Sequence, residues 1–309
     1  MVELHKLEDR IRDFINSPRK QSNLLEDSAT WNKLCSALDL IGDTQIAIDA
    51  YPRLFNIQEE GVSYLIVYGI LQTLLLQQDA AKHIGDALNF KVKLPKALEE
   101  IRVIRNSAAG HPSYQRENGL AKSCFITRMS ISPTGFELMT VYSGDKEYEM
   151  RQISIPVLIE KQQSYLGQIL SKVILELEKQ EMKHREIHKD KKLADIFPRT
   201  INYHFGKIHE ATYSRNGFPL GTPNLKIITE CIENFKDELS IRGEWGVYES
   251  VDYHYELIDY PLKRLKAYFG GDETINEKDA YIYASFLSNQ LKSLQGIAKE
   301  LDEQYESAP

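Results

Sequence analysis

Cysteine, long apolar runs and a secretion signal are features that this sequence has little of. Its 309 residues contain three cysteines, which lie far apart and form no C-x-x-C pair, so we do not expect a zinc ribbon. An odd number of isolated thiols indicates a protein of a reducing compartment. The longest apolar run, from Tyr64 to Leu76, is too short and too interrupted by polar residues to span a bilayer. The first ten residues are charged and amphipathic, unlike a signal peptide. We therefore expect a cytoplasmic protein with no membrane partner.

An excess of basic charge is also absent. The formal net charge is −7, and residues 1–192 carry 26 acidic and 26 basic side chains, so residues 193–309 account for the whole imbalance. Phosphate contacts dominate nucleic-acid affinity, and an acidic chain therefore binds nucleic acid poorly outside a local positive site. If RNA is the substrate, we expect its recognition at one small site. The acidic C-terminal part is expected to pack on a neighbour or to restrict access.

Phosphate-binding loops and repeats are missing as well. The sequence contains no P-loop, no G-x-G-x-x-G fingerprint, no internal repeat and no low-complexity tract. We therefore predict no cofactor and no metal ion.

The dominant positive signal is helical periodicity. Ser28 suits the N-cap of one segment and Pro95 suits the first turn of another. The predicted helices of the first part of the chain cover residues 2–16, 28–50, 58–89, 95–105 and 156–192. Three glutamines on the longest of these, Gln72, Gln77 and Gln78, are unusual among apolar neighbours. We expect them on solvated surface, with a partner interface as the alternative.

A stretch of strand character interrupts the helical pattern. Apolar and polar residues alternate between Cys124 and Ile155, and Ser132-Pro133-Thr134-Gly135 has the composition of a turn. A second turn is predicted at residues 143–146. We expect a two- or three-stranded antiparallel meander at about residues 122–155, inserted in a mainly α protein.

Residues 193–309 are predicted to form a separate C-terminal α-helical domain. Thr222 and Pro223 suit the N-cap and first position of one helix, and residues 202–220 have weak periodicity. Two further helices are predicted over 249–269 and 275–305. The aromatic group Tyr253, His254, Tyr255 and Tyr260 is expected in the core, with stacking on nucleic-acid bases as the alternative.

A histidine pair ends the helix over residues 156–192. His184 and His188 lie four residues apart, the spacing of some metal ligands, but four lysines and one arginine surround them and disfavour a divalent cation. A solvated helix end is the leading interpretation, and an RNA-contacting patch and a metal site are the alternatives.

One segment combines a cation, an imidazole and a break in regular structure. Residues 105–111 read R-N-S-A-A-G-H, and Pro112 follows. In an unbroken helix the step from Arg105 to His111 turns about 600°, which leaves the two side chains about 120° apart. Gly110 and Pro112 predict that the helix ends between them. We therefore expect Arg105 and His111 to share one cleft.

This pattern resembles the signature of the HEPN superfamily, α-helical domains found in many prokaryotic RNases and defence proteins. That signature is an arginine, usually a polar residue next, and a histidine after a gap of four to six residues. Arg105, Asn106 and His111 match those positions, and the long apolar helix from Tyr64 to Leu88 is also typical of the superfamily. The resemblance covers roughly residues 1–180. It implies a HEPN-like helical bundle within residues 1–192.

The resemblance also implies an activity and partners. It implies a metal-independent RNA endonuclease in a toxin–antitoxin or phage-defence setting, with RNA as substrate. It further implies a homodimer that brings two motifs together, and an antitoxin or another regulatory protein is a further expected partner.

The residue types suit this chemistry. Cleavage of RNA without a metal needs a base near the ribose 2′-OH, an acid for the leaving oxygen and a cation for the phosphorane charge. Histidine can act as acid or base, and arginine offers a fork of donors to phosphate oxygens. We predict that His111 is the acid/base, that Arg105 stabilises the phosphate and that Asn106 positions the imidazole or binds the substrate.

Two alternatives remain open. A HEPN-like domain that binds a protein, RNA or nucleotide and dimerises without cutting would keep the same motif. In an all-α interaction protein with a coincidental motif, Arg105 would form a surface ion pair and His111 would cap the helix end.

Overall fold

The structure is a computed structural model that describes residues 4–117, 120–143, 148–213 and 218–306. Within these ranges it contains ten α-helices and one small antiparallel sheet, so the chain is mainly α, as predicted. The chain divides into two compact units, Met1–Leu177 and Glu178–Pro309. The sequence places the boundary later, at residue 192. None of the described helices has the length and apolar character needed to cross a bilayer.

Six helices belong wholly or partly to the N-terminal unit. The five predicted segments are present, the one over residues 28–50 with the expected ends and the others with shifted ends, and the additional helix has no buried residue. Asp27, not Ser28, caps the third helix, because its carboxylate accepts a hydrogen bond from the Ala29 N–H across 3.1 Å. The helices are α1 (Leu4–Ile15), α2 (Pro18–Leu25), α3 (Ser28–Ala50), α4 (Glu60–Ala87), α5 (Lys96–Arg105) and α6 (Ile155–His188).

Helix α4 is at the centre of the N-terminal core. Its Leu71 and Leu74 are fully buried, together with Leu38 of α3 and Leu166 of α6. A polar cluster lies within this apolar core. Gln78 donates from Nε2 to Oε1 of Gln162, 2.9 Å away, and to the Leu98 carbonyl, 3.2 Å away.

The expectation that these glutamines lie on solvated surface is wrong for two of the three. Gln77 and Gln78 are fully buried, and Gln162 bonds both Gln77 Oε1 and the Leu74 carbonyl. Helical periodicity identifies which face of α4 is buried, but it does not reveal that α6 supplies a third glutamine to complete the cluster. Gln72 is half-buried and has a different role, described below.

The sheet follows α5 and has four strands in the order of the sequence. The strands are β1 (Gln115–Glu117), β2 (Leu120–Ile126), β3 (Gly135–Tyr142) and β4 (Glu149–Ser154), and each neighbouring pair is antiparallel. The predicted meander is confirmed, but β1 was missed because three residues are too few to show alternation. The turn at Ser132–Gly135 is confirmed by reciprocal backbone bonds of 2.9 and 3.2 Å. Residues 144–146 of the second predicted turn lie outside the described ranges.

One face of the sheet is buried and the other is exposed. Cys124, Phe136 and Ile153 point into the core, whereas Phe125 and Met150 are exposed. Gly135 lies so close to β4 that a Cβ at this position would be 2.3 Å from the Ile153 carbonyl oxygen.

The C-terminal unit contains the end of α6 and four further helices. These are α7 (Ile201–Thr212), α8 (Phe218–Ile241), α9 (Glu249–Phe269) and α10 (Glu277–Glu306), of which the last two are confirmed predictions. Helix α7 was not predicted, although its Phe205 and Ile208 are buried.

The predicted start of α8 at Thr222–Pro223 is wrong. The helix begins at Phe218 and contains Pro223, while Thr222 Oγ1 donates to the Phe218 carbonyl across 3.0 Å. The Phe218 ring packs against Tyr268, with ring centroids 5.0 Å apart. This tertiary contact supports a helical turn that the proline alone disfavours.

Candidate active site

The motif predicted from the sequence lies where α5 changes its hydrogen-bonding pattern. Helix α5 ends at Arg105, and residues Asn106–Gly110 continue as one π-helical turn. The His111 N–H donates to the Asn106 carbonyl, five residues back, across 2.7 Å. Such π-turns are rare and often mark functional sites. The helix therefore ends by Gly110, as predicted, and His111 is exposed directly after it.

Two neutral amides hold the Arg105 guanidinium. Its Nη2 donates to Oε1 of Gln72 on α4 across 2.7 Å, and its Nη1 donates to Oδ1 of Asn106 across 3.0 Å. The Nε atom is buried and has no hydrogen-bond partner among the described residues. A guanidinium has five N–H donors, so these two bonds leave further donors for an anion.

The charge of Arg105 is not neutralised by a carboxylate among the described residues. Its partners are amide oxygens, whereas Arg102, one turn earlier, pairs with Asp79 at 2.7 Å. The expectation of a surface ion pair at Arg105, which belonged to the coincidental interpretation of the motif, therefore does not hold. A half-buried arginine with an uncompensated charge attracts phosphate or carboxylate groups.

Gly110 allows the guanidinium to lie against the π-turn. A Cβ at this position would be 2.7 Å from Arg105 Nη1 and 3.2 Å from Asn106 Oδ1. Any larger residue would therefore displace the Arg105 side chain or its bond to Asn106.

The sheet fixes the backbone on both sides of His111. Gln115 donates from Nε2 to the carbonyls of Asn106 and His111, across 3.1 and 2.9 Å. On β2, the Cys124 N–H donates to the Pro112 carbonyl across 2.7 Å. These bonds hold the main chain of the loop, while the imidazole itself is exposed to solvent.

The structure thus joins Arg105 and Asn106 through their side chains and His111 to Asn106 through the backbone. The shared cleft of Arg105 and His111 stays a prediction. Sequence reasoning missed Gln115, for which no local pattern exists. It singled out Gln72 only as an unusual polar residue on an apolar helix, which is a signal that an amide on such a helix has a specific partner.

The histidine pair at the end of α6 packs against Tyr305 of α10. His184 Nε2 lies 2.9 Å from the Tyr305 hydroxyl, and the ring centroids of His184 and His188 are 4.7 Å apart. Both histidines are half-buried, whereas Lys183, Glu186 and Lys189 around them are exposed, so the helix end is solvated except at the histidine pair itself. No group of three or more potential metal ligands occurs among the residues that the structure describes.

The aromatic group of α9 is divided between core and surface. Tyr255 packs inward and donates its hydroxyl to the Ile232 carbonyl across 2.7 Å. Tyr253 and Tyr260 are exposed by 59% and 60%, so the expected core packing is wrong for these two. They lie on one face of α9, seven residues apart, where Glu249 and Glu256 add negative charge.

Comparison with known proteins finds no matching family model, no matching curated protein and no matching solved structure. Function is therefore inferred from the residues around Arg105 and His111.

Proposed function

We propose that this chain is a metal-independent RNA endonuclease of HEPN type, in which Arg105, Asn106 and His111 act on the scissile phosphate. The observation that carries the proposal is the half-buried Arg105, held by Gln72 and Asn106 and unpaired with any described carboxylate. An arginine that is oriented but not paired with a carboxylate can bind an anion. The exposed His111 follows it on a loop whose backbone is held by hydrogen bonds to the sheet.

Each residue has a defined role in this proposal. Arg105 donates to the non-bridging phosphate oxygens and stabilises the phosphorane charge. His111 removes the proton from the 2′-OH or supplies one to the leaving 5′ oxygen. Asn106 orients the guanidinium, since its Oδ1 already accepts from Arg105. No metal ion or cofactor takes part.

The proposal includes a homodimer, because one imidazole serves less well than two when both an acid and a base are needed. Leu65 and Tyr68 lie on the same stripe of α4 as Gln72, seven and four positions before it, and their side chains are exposed by 72% and 40%. An apolar stripe next to the residue that holds Arg105 suits contact with a second copy. We place the protein in the cytoplasm, in a toxin–antitoxin or phage-defence system with an antitoxin or other regulatory partner.

The second candidate is a non-catalytic HEPN-like module that dimerises and binds a protein, RNA or nucleotide. The burial of Arg105 Nε favours this candidate, since part of the guanidinium is out of reach of a ligand. The hydrogen bonds of Arg105 with Gln72 and Asn106 would then stabilise the contact between α4 and α5, and Arg105 would bind an anion without catalysing its cleavage.

Cleavage of single-stranded RNA in EDTA tests the proposal. The wild-type protein is expected to leave 2′,3′-cyclic phosphate ends or their opened products and to spare DNA, which lacks the attacking 2′-OH. His111→Ala and Arg105→Ala should each lower the rate about 10²- to 10⁴-fold, the size of a general acid–base contribution.

His83→Ala is the matched control, because His83 is an exposed histidine of the same unit on α4. It should cut like the wild type, and thermal midpoints should show that all variants are folded. Equal cutting by wild type and His111→Ala contradicts a catalytic role. RNA binding that depends on Arg105 without any cutting supports the non-catalytic candidate.

A further inference from the structure

Two exposed aromatic residues lie on the segment that follows His111 and on the strand that is bonded to this segment. Tyr114, three residues after His111, is exposed by 58%, and Phe125 on β2 is exposed by 49%. Three residues span at most about 11 Å, so the Tyr114 backbone is within one or two nucleotides' reach of His111.

Both rings are on the exposed face of the sheet. Arg116 of β1 pairs with Ala121 of β2, and Phe125, four residues after Ala121, shares that face because side chains alternate along a strand. Tyr114 belongs to the same side, since its hydroxyl accepts a hydrogen bond from Arg116 Nε across 3.0 Å. The intervening Cys124 points to the core.

The backbone that carries these rings is fixed. The Cys124 N–H donates to the Pro112 carbonyl across 2.7 Å, and Ser123 Oγ donates to the Ser113 carbonyl across 2.9 Å. The first bond attaches Pro112 to β2 and the second attaches Ser113 to it, whereas the β1–β2 pairing itself begins at Gln115. Ser123 and Cys124, the two residues before Phe125 on β2, therefore hold the two residues before Tyr114.

We propose that Tyr114 and Phe125 form a stacking surface for bases of single-stranded RNA that flank the phosphate at Arg105 and His111. This inference rests on the proposed function, because it takes RNA as the ligand of that site. Aromatic rings stack on bases with little sequence preference, and Arg116 adds a cation for the backbone next to them. The Arg116 bond to the Tyr114 hydroxyl limits rotation of the ring, which reduces the entropy lost on stacking.

RNA is favoured over a protein partner by the polar atoms beside Tyr114. Arg116 and Ser123 lie on the same face as Tyr114, and His111 precedes it, so donors suited to phosphate and sugar oxygens lie on this side of the surface, whereas Phe125 is paired across the sheet with Met139. The exposed Tyr253 of α9, by contrast, lies beside Glu249 and Glu256, which repel a phosphate backbone.

Binding of a uniformly 2′-O-methylated oligonucleotide in EDTA tests the inference, because this probe cannot be cleaved. Tyr114→Ala and Phe125→Ala should each weaken binding about 5- to 150-fold, the range measured for loss of one base stack. Tyr114→Phe and Phe125→Tyr keep a ring and should retain most of the affinity. Tyr253→Ala is the matched control, since Tyr253 is exposed by 59% and should contribute nothing.

A second probe separates stacking from other effects. With an abasic oligonucleotide the alanine and wild-type proteins should bind alike, because no base is present to stack. The inference is overturned if wild type fails to bind the methylated probe, if Tyr114→Ala weakens abasic and complete probes equally, or if Phe125→Ala dissociates a dimer in sedimentation. A wild-type protein that binds through Tyr114 but never cuts RNA would keep this inference and remove the proposed catalysis.

Discussion

The guanidinium of Arg105 donates from Nη2 to Oε1 of Gln72, 2.7 Å away, and so connects the end of α5 to the middle of α4. The two residues are 33 positions apart in the sequence. A neutral acceptor fixes the orientation of the cation and leaves its charge uncompensated. Gln72 is therefore expected to be a positioning residue for Arg105.

Gln72→Leu removes this acceptor at nearly constant volume. A hydrogen bond to a charged group contributes about 1.5–3 kcal/mol, so kcat/KM for RNA cleavage should fall about 10- to 150-fold. Gln72→Glu should keep the orientation but pair the charge, and it should weaken binding of the methylated oligonucleotide. Unchanged kcat/KM and unchanged affinity in both variants would show that Arg105 acts without Gln72.

Gly110→Ala is predicted to impair the site more than the fold. The added Cβ would meet Arg105 Nη1 at 2.7 Å, so the guanidinium must move away from Asn106. Cleavage should drop at least about 10-fold, a loss equivalent to about 1.4 kcal/mol of transition-state binding.

Gly296→Ala on α10 is the control for this substitution, because this glycine is exposed inside a helix and no atom lies within 4 Å of the added Cβ. An alanine there should raise the free energy of unfolding by about 0.5–1 kcal/mol and leave cleavage unchanged. Equal cleavage rates for Gly110→Ala and Gly296→Ala would show that the close contact between Gly110 and Arg105 does not matter for catalysis.

The buried glutamine cluster predicts a stability effect. Gln162→Leu deprives Gln78 Nε2 of one of its two acceptors and leaves the Leu74 carbonyl without its side-chain donor. The free energy of unfolding in urea should fall by about 1–3 kcal/mol, the cost of leaving buried polar groups unpaired. Gln168→Leu, at an exposed position of the same helix, should change it by less than about 0.5 kcal/mol. Equal stabilities would indicate that Gln77 and Gln78 rearrange to satisfy each other.

His209 of α7 predicts a dependence of stability on pH. Burial lowers the pKa of His209 below its ordinary value, its Nδ1 has no partner among the described residues, and its ring lies 4.9 Å from that of Tyr281. The unfolded chain therefore binds a proton at a higher pH than the folded one. The contribution of the neutral His209 to the free energy of unfolding is therefore fully present above the ordinary histidine pKa of about 6.5, and it is lost as the pH falls below that value.

The measurement is the thermal midpoint at about pH 7.5 and about pH 5.5, on either side of the ordinary histidine pKa. His209→Phe keeps a ring against Tyr281 without a titrating group, so its midpoint should fall less than that of the wild type over this interval. His83→Phe, at an exposed histidine, should fall as much as the wild type. A His209→Phe midpoint that falls as steeply as the wild type would exclude His209 as the source.

Most of the helical architecture could be predicted from local pattern. Helices α3, α4, α9 and α10 bury one stripe each, and their apolar residues recur at the spacing that such burial requires. The end of α5 was also predictable, since glycine and the residue before proline both disfavour continuation of a helix. The same local logic failed for α8, where packing of Phe218 against Tyr268 supports a turn that precedes Pro223.

The sequence by itself was sufficient to identify Arg105, Asn106 and His111 as a motif, and to predict where the helix ends and which helical segments surround it. Only the tertiary structure decided what those residues contact. Gln72 and Gln115 reach the motif through packing of α4 and of the sheet, and no short-range pattern encodes such contacts. Side-chain partners depend on distances in space between segments far apart in the chain, whereas periodicity and capping depend only on neighbours within one or two turns.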